Sequence, residues 1–266
     1  MRCPFCLEGS QPGDGRIEFL TTEDVLPFMD EAMELGVKKL SFTGGEPFVN
    51  PHMVAILAHA LEHRPCLVLS NGTEPLMNRL HEILPLQNKS HPLGFRISLD
   101  HPDEQAHDRF RGKGNFRKAL TTLGKLHESG FEVSIARFMQ GGEDTDAINQ
   151  RYRLLFQTVG VPADTTIVPF PDFHPPGSQQ EVPQVTEHCM TQYLTADQRR
   201  QLMCNFSKMI VKRNGRVGVY ACTLVDDDPD YRLAESLTES MEVRVMLKHH
   251  RCYSCFAYGA SCSEGV

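Results

Sequence analysis

The sequence predicts an α/β chain: a parallel sheet with helical crossovers over residues 1–170, a linker over 171–203 and a small α+β domain over 204–266. Three observations predict it. Strand-like and helix-like segments alternate strictly up to residue 170, which argues for parallel pairing through helical crossovers. A Pro-rich polar stretch, "PDFHPPGSQQEVPQ" (171–184), then breaks the rhythm as linkers do. Finally, seven of the nine cysteines gather at the two ends, with Cys3 and Cys6 in front and Cys204, Cys222, Cys252, Cys255 and Cys262 behind; only Cys66 and Cys189 fall between.

The elements follow in order. "TTEDVLPFMDEAMELG" (21–36) has a capping threonine, acidic residues in its first turn and a closing Gly36, so it reads as a helix. Pro27 falls about a turn from its start, where proline is tolerated better than in the middle. "VKKLSF" (37–42) is a strand, 51–64 a helix, "CLVLS" (66–70) a buried strand and 75–84 a helix. "FRISL" (95–99) is a strand, 115–130 a helix closed by Gly130, and "FEVSIARF" (131–138) a strand. A helix over 145–160 closes at Gly160, and "TTIVPF" (165–170) is the fifth strand. Beyond the linker, "MIVKRNGRVGVYAC" (209–222) reads as a hairpin turning at Asn214–Gly215. The segment 233–248 is predicted helical.

Composition narrows the function. With 266 residues and 40% hydrophobic content the chain can bury a sizeable core. A formal charge of -7 argues against general nucleic-acid binding, which needs a basic surface. No apolar run approaches the roughly 18 residues of a membrane span. The expectation is a cytoplasmic protein whose clustered cysteines hold metal rather than form disulfides. Cys66 opens an apolar strand and reads as core; Cys189 reads as inert. His249 and His250 read as surface histidines, with metal ligands beside Cys252 as the functional reading. "DDDPD" (226–230) reads as a solvated acidic turn, with a proton acceptor as the functional reading.

Three polar motifs end successive strands: "TGGEP" (43–47), "SNGT" (70–73) and "SLD" (98–100), the last followed by "HDRFRGKGNF" (107–116). In parallel α/β folds ligands gather at the carboxyl ends of strands, so the three point to one site. Together with "RCPFC" (2–6), this combination resembles the radical S-adenosylmethionine (radical SAM) superfamily over about residues 1–170. The resemblance implies a partial (β/α)6 TIM-like barrel with its first strand missing. It implies a [4Fe–4S] cluster that binds S-adenosyl-L-methionine (SAM) and is held in part by Cys3 and Cys6, with Phe5 near the adenine. The turn Gly44, Gly45, Glu46 and Pro47 would hold the methionine amino group, with Glu46 its charged partner. Asn71, Ser98 and Arg137 would be SAM contacts, Arg137 suiting the carboxylate.

The rear spacing, Cys204-x17-Cys222-x29-Cys252-x2-Cys255, resembles the twitch/SPASM auxiliary domains of the same superfamily and implies a second [4Fe–4S] cluster. Cys262 is a spare or a rival ligand to Cys252, and zinc is the alternative metal. The implied function is reductive cleavage of SAM and hydrogen abstraction from a peptide or small-molecule substrate. The electron would come from a reduced flavodoxin-like or ferredoxin-like donor. A zinc-stabilised binding module without catalysis is the alternative from another class.

The family's motif carries a third cysteine four positions before Cys3, and its barrel a strand ahead of the cysteine loop. The expectation is therefore that Met1 is an internal methionine, with a segment of roughly 10–20 residues preceding it. The alternative is a degenerate member lacking its front cluster.

Overall fold

Five strands pair in chain order and all in parallel: β1 (Leu40–Phe42), β2 (Cys66–Ser70), β3 (Leu93–Ser98), β4 (Glu132–Phe138) and β5 (Ile167–Phe170). The computed structural model describes residues 13, 15–170, 178 and 180–259. Within them the chain forms two compact units. One is Leu20–Phe170; the other joins the described residues before Leu20 to those after 170.

In the first unit, register partners share a face of the sheet. Phe42, Val68, Phe95 and Val133 form one cross-strand row, and Ser70, Ile97, Ile135 and Ile167 the next. These rows pack with helix residues such as Leu57, Leu76, Leu123 and Phe156 in one core. Phe95 sits at its centre, edge-on to Phe131 and stacked near Phe48. The opposite face carries Leu67 and Leu69 together with Arg96, Ser98 and Ser134, where the Arg96 Nε donates to Ser134 Oγ at 3.2 Å.

The crossovers follow their local signals. Helix Thr22–Glu34 starts in a capping box: Thr21 Oγ1 accepts from Asp24 N, and the Asp24 carboxylate accepts from Thr21 N. Helix Asn115–Glu128 lies so close to the turn after β2 that a Cβ at Gly72 would come within 3.0 Å of the Ala119 backbone. Gly72 also has φ +69°, so both space and conformation demand glycine there. Thr122 Oγ1 ties the two together by donating to the Gly72 carbonyl at 2.7 Å.

The second unit holds an antiparallel sheet of β6 (Met209–Arg213), β7 (Arg216–Tyr220) and β8 (Arg232–Ala234). Its hairpin turns at Asn214 and Gly215, both at positive φ, as a type I′ turn requires. Glu18 bridges to Lys212 on β6, which is why the residues just before Leu20 belong to this unit rather than to the first.

Several expectations are corrected. The stretch 233–248 is no helix: Arg232–Ala234 is the third strand, paired to β7, and only Leu237–Ser240 is helical before irregular backbone. The part of the linker that is described carries helices Glu187–Tyr193 and Ala196–Arg200, each started by a threonine cap. The helix expected over 75–84 breaks into Glu74–Asn78 and Leu80–Ile83. Helix Glu104–Arg111 was not foreseen, because only His107 along it is buried and no apolar period marks it. "DDDPD" is not wholly solvated either. Asp226 is 1% exposed and pairs with Arg16 at 2.9 Å and Arg213 at 2.8 Å. His250 is likewise buried, not at the surface.

Candidate active site and thiol cluster

Parallel strands put their carboxyl ends on one edge, and two of the motifs meet there through Glu46. Its carboxylate accepts from Ser70 Oγ at 3.0 and 3.1 Å, from Asn71 N at 2.9 Å and from Phe48 N at 3.3 Å. One side chain thus fastens the turn after β1 to the turn after β2. Burial pushes the Glu46 carboxyl up from its ordinary value, against the lowering pull of these donors and of Arg111. The sequence reading gave this carboxylate to a ligand's ammonium; here it already serves three protein donors. Asn71 is similarly engaged, its Oδ1 accepting from Thr73 N (2.9 Å) and Thr73 Oγ1 (2.6 Å). Gly44, at φ +137° with no atom within 4 Å of an added Cβ, leaves its backbone open to close approach.

The β3 end adds a polar relay that the sequence quoted without resolving. Asp100 accepts both ends of the Arg111 guanidinium fork, at 2.5 and 2.9 Å. His107, fully buried, accepts the Asp100 backbone N–H on Nδ1 at 3.1 Å, which leaves its proton on Nε2. Asp108 accepts from Gly114 N and Phe116 N, setting the start of the next helix.

Burial lowers the His107 pKa to about 4. Between that value and about 6.5 the unfolded chain binds a proton that the folded chain refuses, so stability falls on acidification through this window. The loss should reach about 3 kcal/mol. Urea unfolding at neutral pH and near pH 4.5 should show it, and His107→Asn should remove most of the slope. An equal slope in both proteins would assign the acid sensitivity elsewhere.

Ser98 and Arg137 are not brought together. Ser98 pairs in register with Ala136, so Arg137 emerges on the other, helix-covered face. There it is 1% exposed, with Nη1 on Glu143 Oε1 at 2.6 Å and on the Phe138 carbonyl at 3.2 Å. Arg137 is thus neither a solvated strand-end residue nor on the face that carries Ser98.

In the second unit, Cys204, Cys222, Cys252 and Cys255 line one cavity, walled by Met203, Leu224, Val225 and Phe256 among others. Cys222 Sγ lies 3.6 Å from Met203 Sδ and accepts from Leu224 N at 3.3 Å. Burial raises the Cys204 thiol and pushes the Cys252 thiol up to about 11. Among the described residues, no three His, Cys, Asp or Glu side chains stand close enough to share an ion as placed. The cavity therefore collects four soft donors of the type that iron–sulfur clusters and zinc take, without closing them on one centre. Cys3, Phe5, Cys6 and Cys262 lie outside the described residues. Cys66 is buried in the core of the first unit, its thiol pushed up to about 12 by burial.

The profile of the radical SAM superfamily matches residues 1–155. The chain belongs to the radical SAM superfamily. Membership implies a [4Fe–4S] cluster and SAM, in a family whose members are enzymes. Among radical SAM relatives, the antilisterial bacteriocin subtilosin biosynthesis protein AlbA of Bacillus subtilis is 32% identical over 142 residues, 51% of this chain and 30% of its own. Mycofactocin maturase MftC of Mycolicibacterium smegmatis is 27% identical over 188 residues, 68% of this chain and 46% of its own. Human molybdenum cofactor biosynthesis protein 1 is 28% identical over 178 residues, 65% of this chain and 27% of its own. The chain thus spans less than half the length of each of these relatives. Among the described residues no helix is long and apolar enough to cross a membrane.

Proposed function

We propose that this chain reductively cleaves SAM and abstracts a hydrogen from a peptide or small-molecule substrate. A reduced flavodoxin-like or ferredoxin-like protein would supply the electron. The observation that carries the reading is that the Gly44–Pro47, Ser70–Asn71 and Ser98–Asp100 turns leave one edge of the parallel sheet, the first two fastened together by Glu46. A shared ligand site needs that agreement; separate turns do not. Cys3 and Cys6 would hold part of the front cluster, with Phe5 beside the adenine. The open backbone at Gly44, with Gly45 beside it, would receive the methionine end of SAM, and Ser98 would face it from the other side of the sheet edge. Glu46 would act by holding the turn in place, and Arg137 by anchoring the loop that carries Glu143. When bound, the cluster and SAM supply the radical chemistry; the protein orients substrate and keeps water out.

Cys204, Cys222, Cys252 and Cys255 would hold a second [4Fe–4S] cluster, which their shared cavity supports. Peptide substrates gain weight from relatives named for peptide products, the PqqA peptide cyclase of Granulibacter bethesdensis among them (37% identical over 84 residues).

The test is product analysis. Protein carrying the family's first motif cysteine ahead of Cys3, reconstituted anaerobically and reduced with dithionite, should convert SAM to 5′-deoxyadenosine and methionine. Ser98→Val should slow this while leaving the fold intact. No 5′-deoxyadenosine from fully iron-loaded protein would reject the reading.

A further inference from the structure

Tyr231 is 2% exposed and held on every side. Its ring stands edge-on to His249 at 5.8 Å, its backbone N–H donates to the Asp228 carbonyl at 3.1 Å, and its carbonyl accepts from Ala221 N at 3.0 Å. The phenolic oxygen accepts two backbone N–H groups, Lys248 at 3.1 Å and His249 at 2.8 Å. Those two bonds occupy both of its lone pairs, so what it has left is one proton. Cys252 Sγ lies 3.6 Å from it: a protonated thiol there can donate to the phenolic oxygen, whereas a deprotonated, ligating sulfur has no proton and can only accept the phenol's.

We infer that Tyr231 is a positioning residue that donates its hydroxyl proton to the Cys252 sulfur and thereby raises the reduction potential of the centre those thiols hold. The inference rests on the reading of Cys204, Cys222, Cys252 and Cys255 as cluster ligands. The physical ground is that hydrogen bonds to ligating sulfurs withdraw charge from a cluster and favour its reduced form. The geometry makes the bond hard to lose by rotation. The two N–H groups come from consecutive residues at the start of helix His250–Tyr258, which also carries Cys252, so donor oxygen and acceptor sulfur are referenced to the same few residues of backbone. The surroundings are apolar, with Ala221, Val225 and Val245 packed about the ring and thiol, and a single hydrogen bond counts for more where water does not compete.

The experiment is an EPR-monitored redox titration of Cys3→Ala/Cys6→Ala protein, in which only the rear centre can form. Tyr231→Phe should move the midpoint to more negative potential. Because that change also strips two N–H groups of their acceptor, a second variant keeps the test sound. Replacing Tyr231 with 3,5-difluorotyrosine retains both acceptances but makes the phenol a stronger donor, and should move the midpoint the opposite way. A purely structural role for Tyr231 would not produce shifts of opposite sign. Midpoints that stay put with difluorotyrosine, in protein that holds its full complement of cluster iron, would overturn the inference alone. Protein that takes up zinc or no metal at these thiols would overturn the cluster reading and the inference with it.

Discussion

Alanine at any one of Cys204, Cys222, Cys252 or Cys255 is expected to strip the rear centre of its iron and to unfold much of the second unit. The reason lies in where the thiols sit. One of its buried clusters comprises only Ala221, Val225 and Tyr231, with Cys222, Leu233, Val245 and Cys252 packed partly buried against it. Two of the thiols are thus themselves part of the wall. A structural metal centre contributes folding free energy directly, since the unfolded chain has no preformed site. Iron analysis should show loss of one whole cluster per chain in each variant, and circular dichroism a lower and broader melting transition. Cys66→Ala and Cys189→Ala are the controls. The first removes a core thiol far from the site and the second a cysteine on the helix Glu187–Tyr193, and neither should change the iron content.

Glu46→Ala is expected to cost the first unit about 4 kcal/mol. It leaves Ser70 Oγ, Asn71 N and Phe48 N without their acceptor, and each buried group left unsatisfied costs roughly 1–3 kcal/mol, reduced where water can enter. SAM affinity should fall with stability, because the turn after β1 loses its tie to the turn after β2. Glu46→Gln should cost less, since one acceptor oxygen and the volume remain. Its deficit should also shrink as pH rises. Burial raises the folded carboxyl's pKa, so the native carboxyl's favourable contribution is complete below the unfolded value and is lost as pH rises through the folded one. Glutamine has no such loss. Hydrogen exchange at Asn71 and Phe48 should quicken in Glu46→Ala. Unfolding free energies within about 0.5 kcal/mol of the parent would show that the carboxylate fastens nothing.

The first unit was legible because each buried strand is a short apolar run that stops at a polar turn, and the turns carry glycine where the backbone must bend. "CLVLS" is β2 residue for residue, and "FRISL" falls on β3, which starts two residues earlier and ends one sooner. That the turns after β1 and β2 share a site was legible, but the bonds from Ser70 and Asn71 to Glu46 were not, since they depend on the pairing of β1 and β2 with partners 24 and 25 positions apart. The face of Arg137 was hidden for a similar reason. Side chains alternate across a strand, so assigning one needs the register with Ser98, and register is set by pairing. A signal for Glu143 was present: a carboxylate six residues beyond a buried strand arginine, across the Gly141–Gly142 turn.

The second unit was harder. Its hairpin announced itself through Asn214–Gly215, but the following segment misled. "YRLAESLTESMEVRV" carries good helix formers, yet β7 offers a free ladder edge beside Arg232–Ala234, and pairing outweighs propensity there. Tyr231 went unremarked because its role depends on three partners, one seventeen, one eighteen and one twenty-one residues away.

The central claim is that two separate sets of thiols hold two separate clusters. The most direct measurement is Mössbauer spectroscopy of 57Fe-reconstituted Cys3→Ala/Cys6→Ala protein, beside the same protein carrying Cys252→Ala in addition. The account predicts one [4Fe–4S] doublet in the first, and no cluster iron in the second. Iron already absent from the first protein, or unchanged in the second, would contradict it.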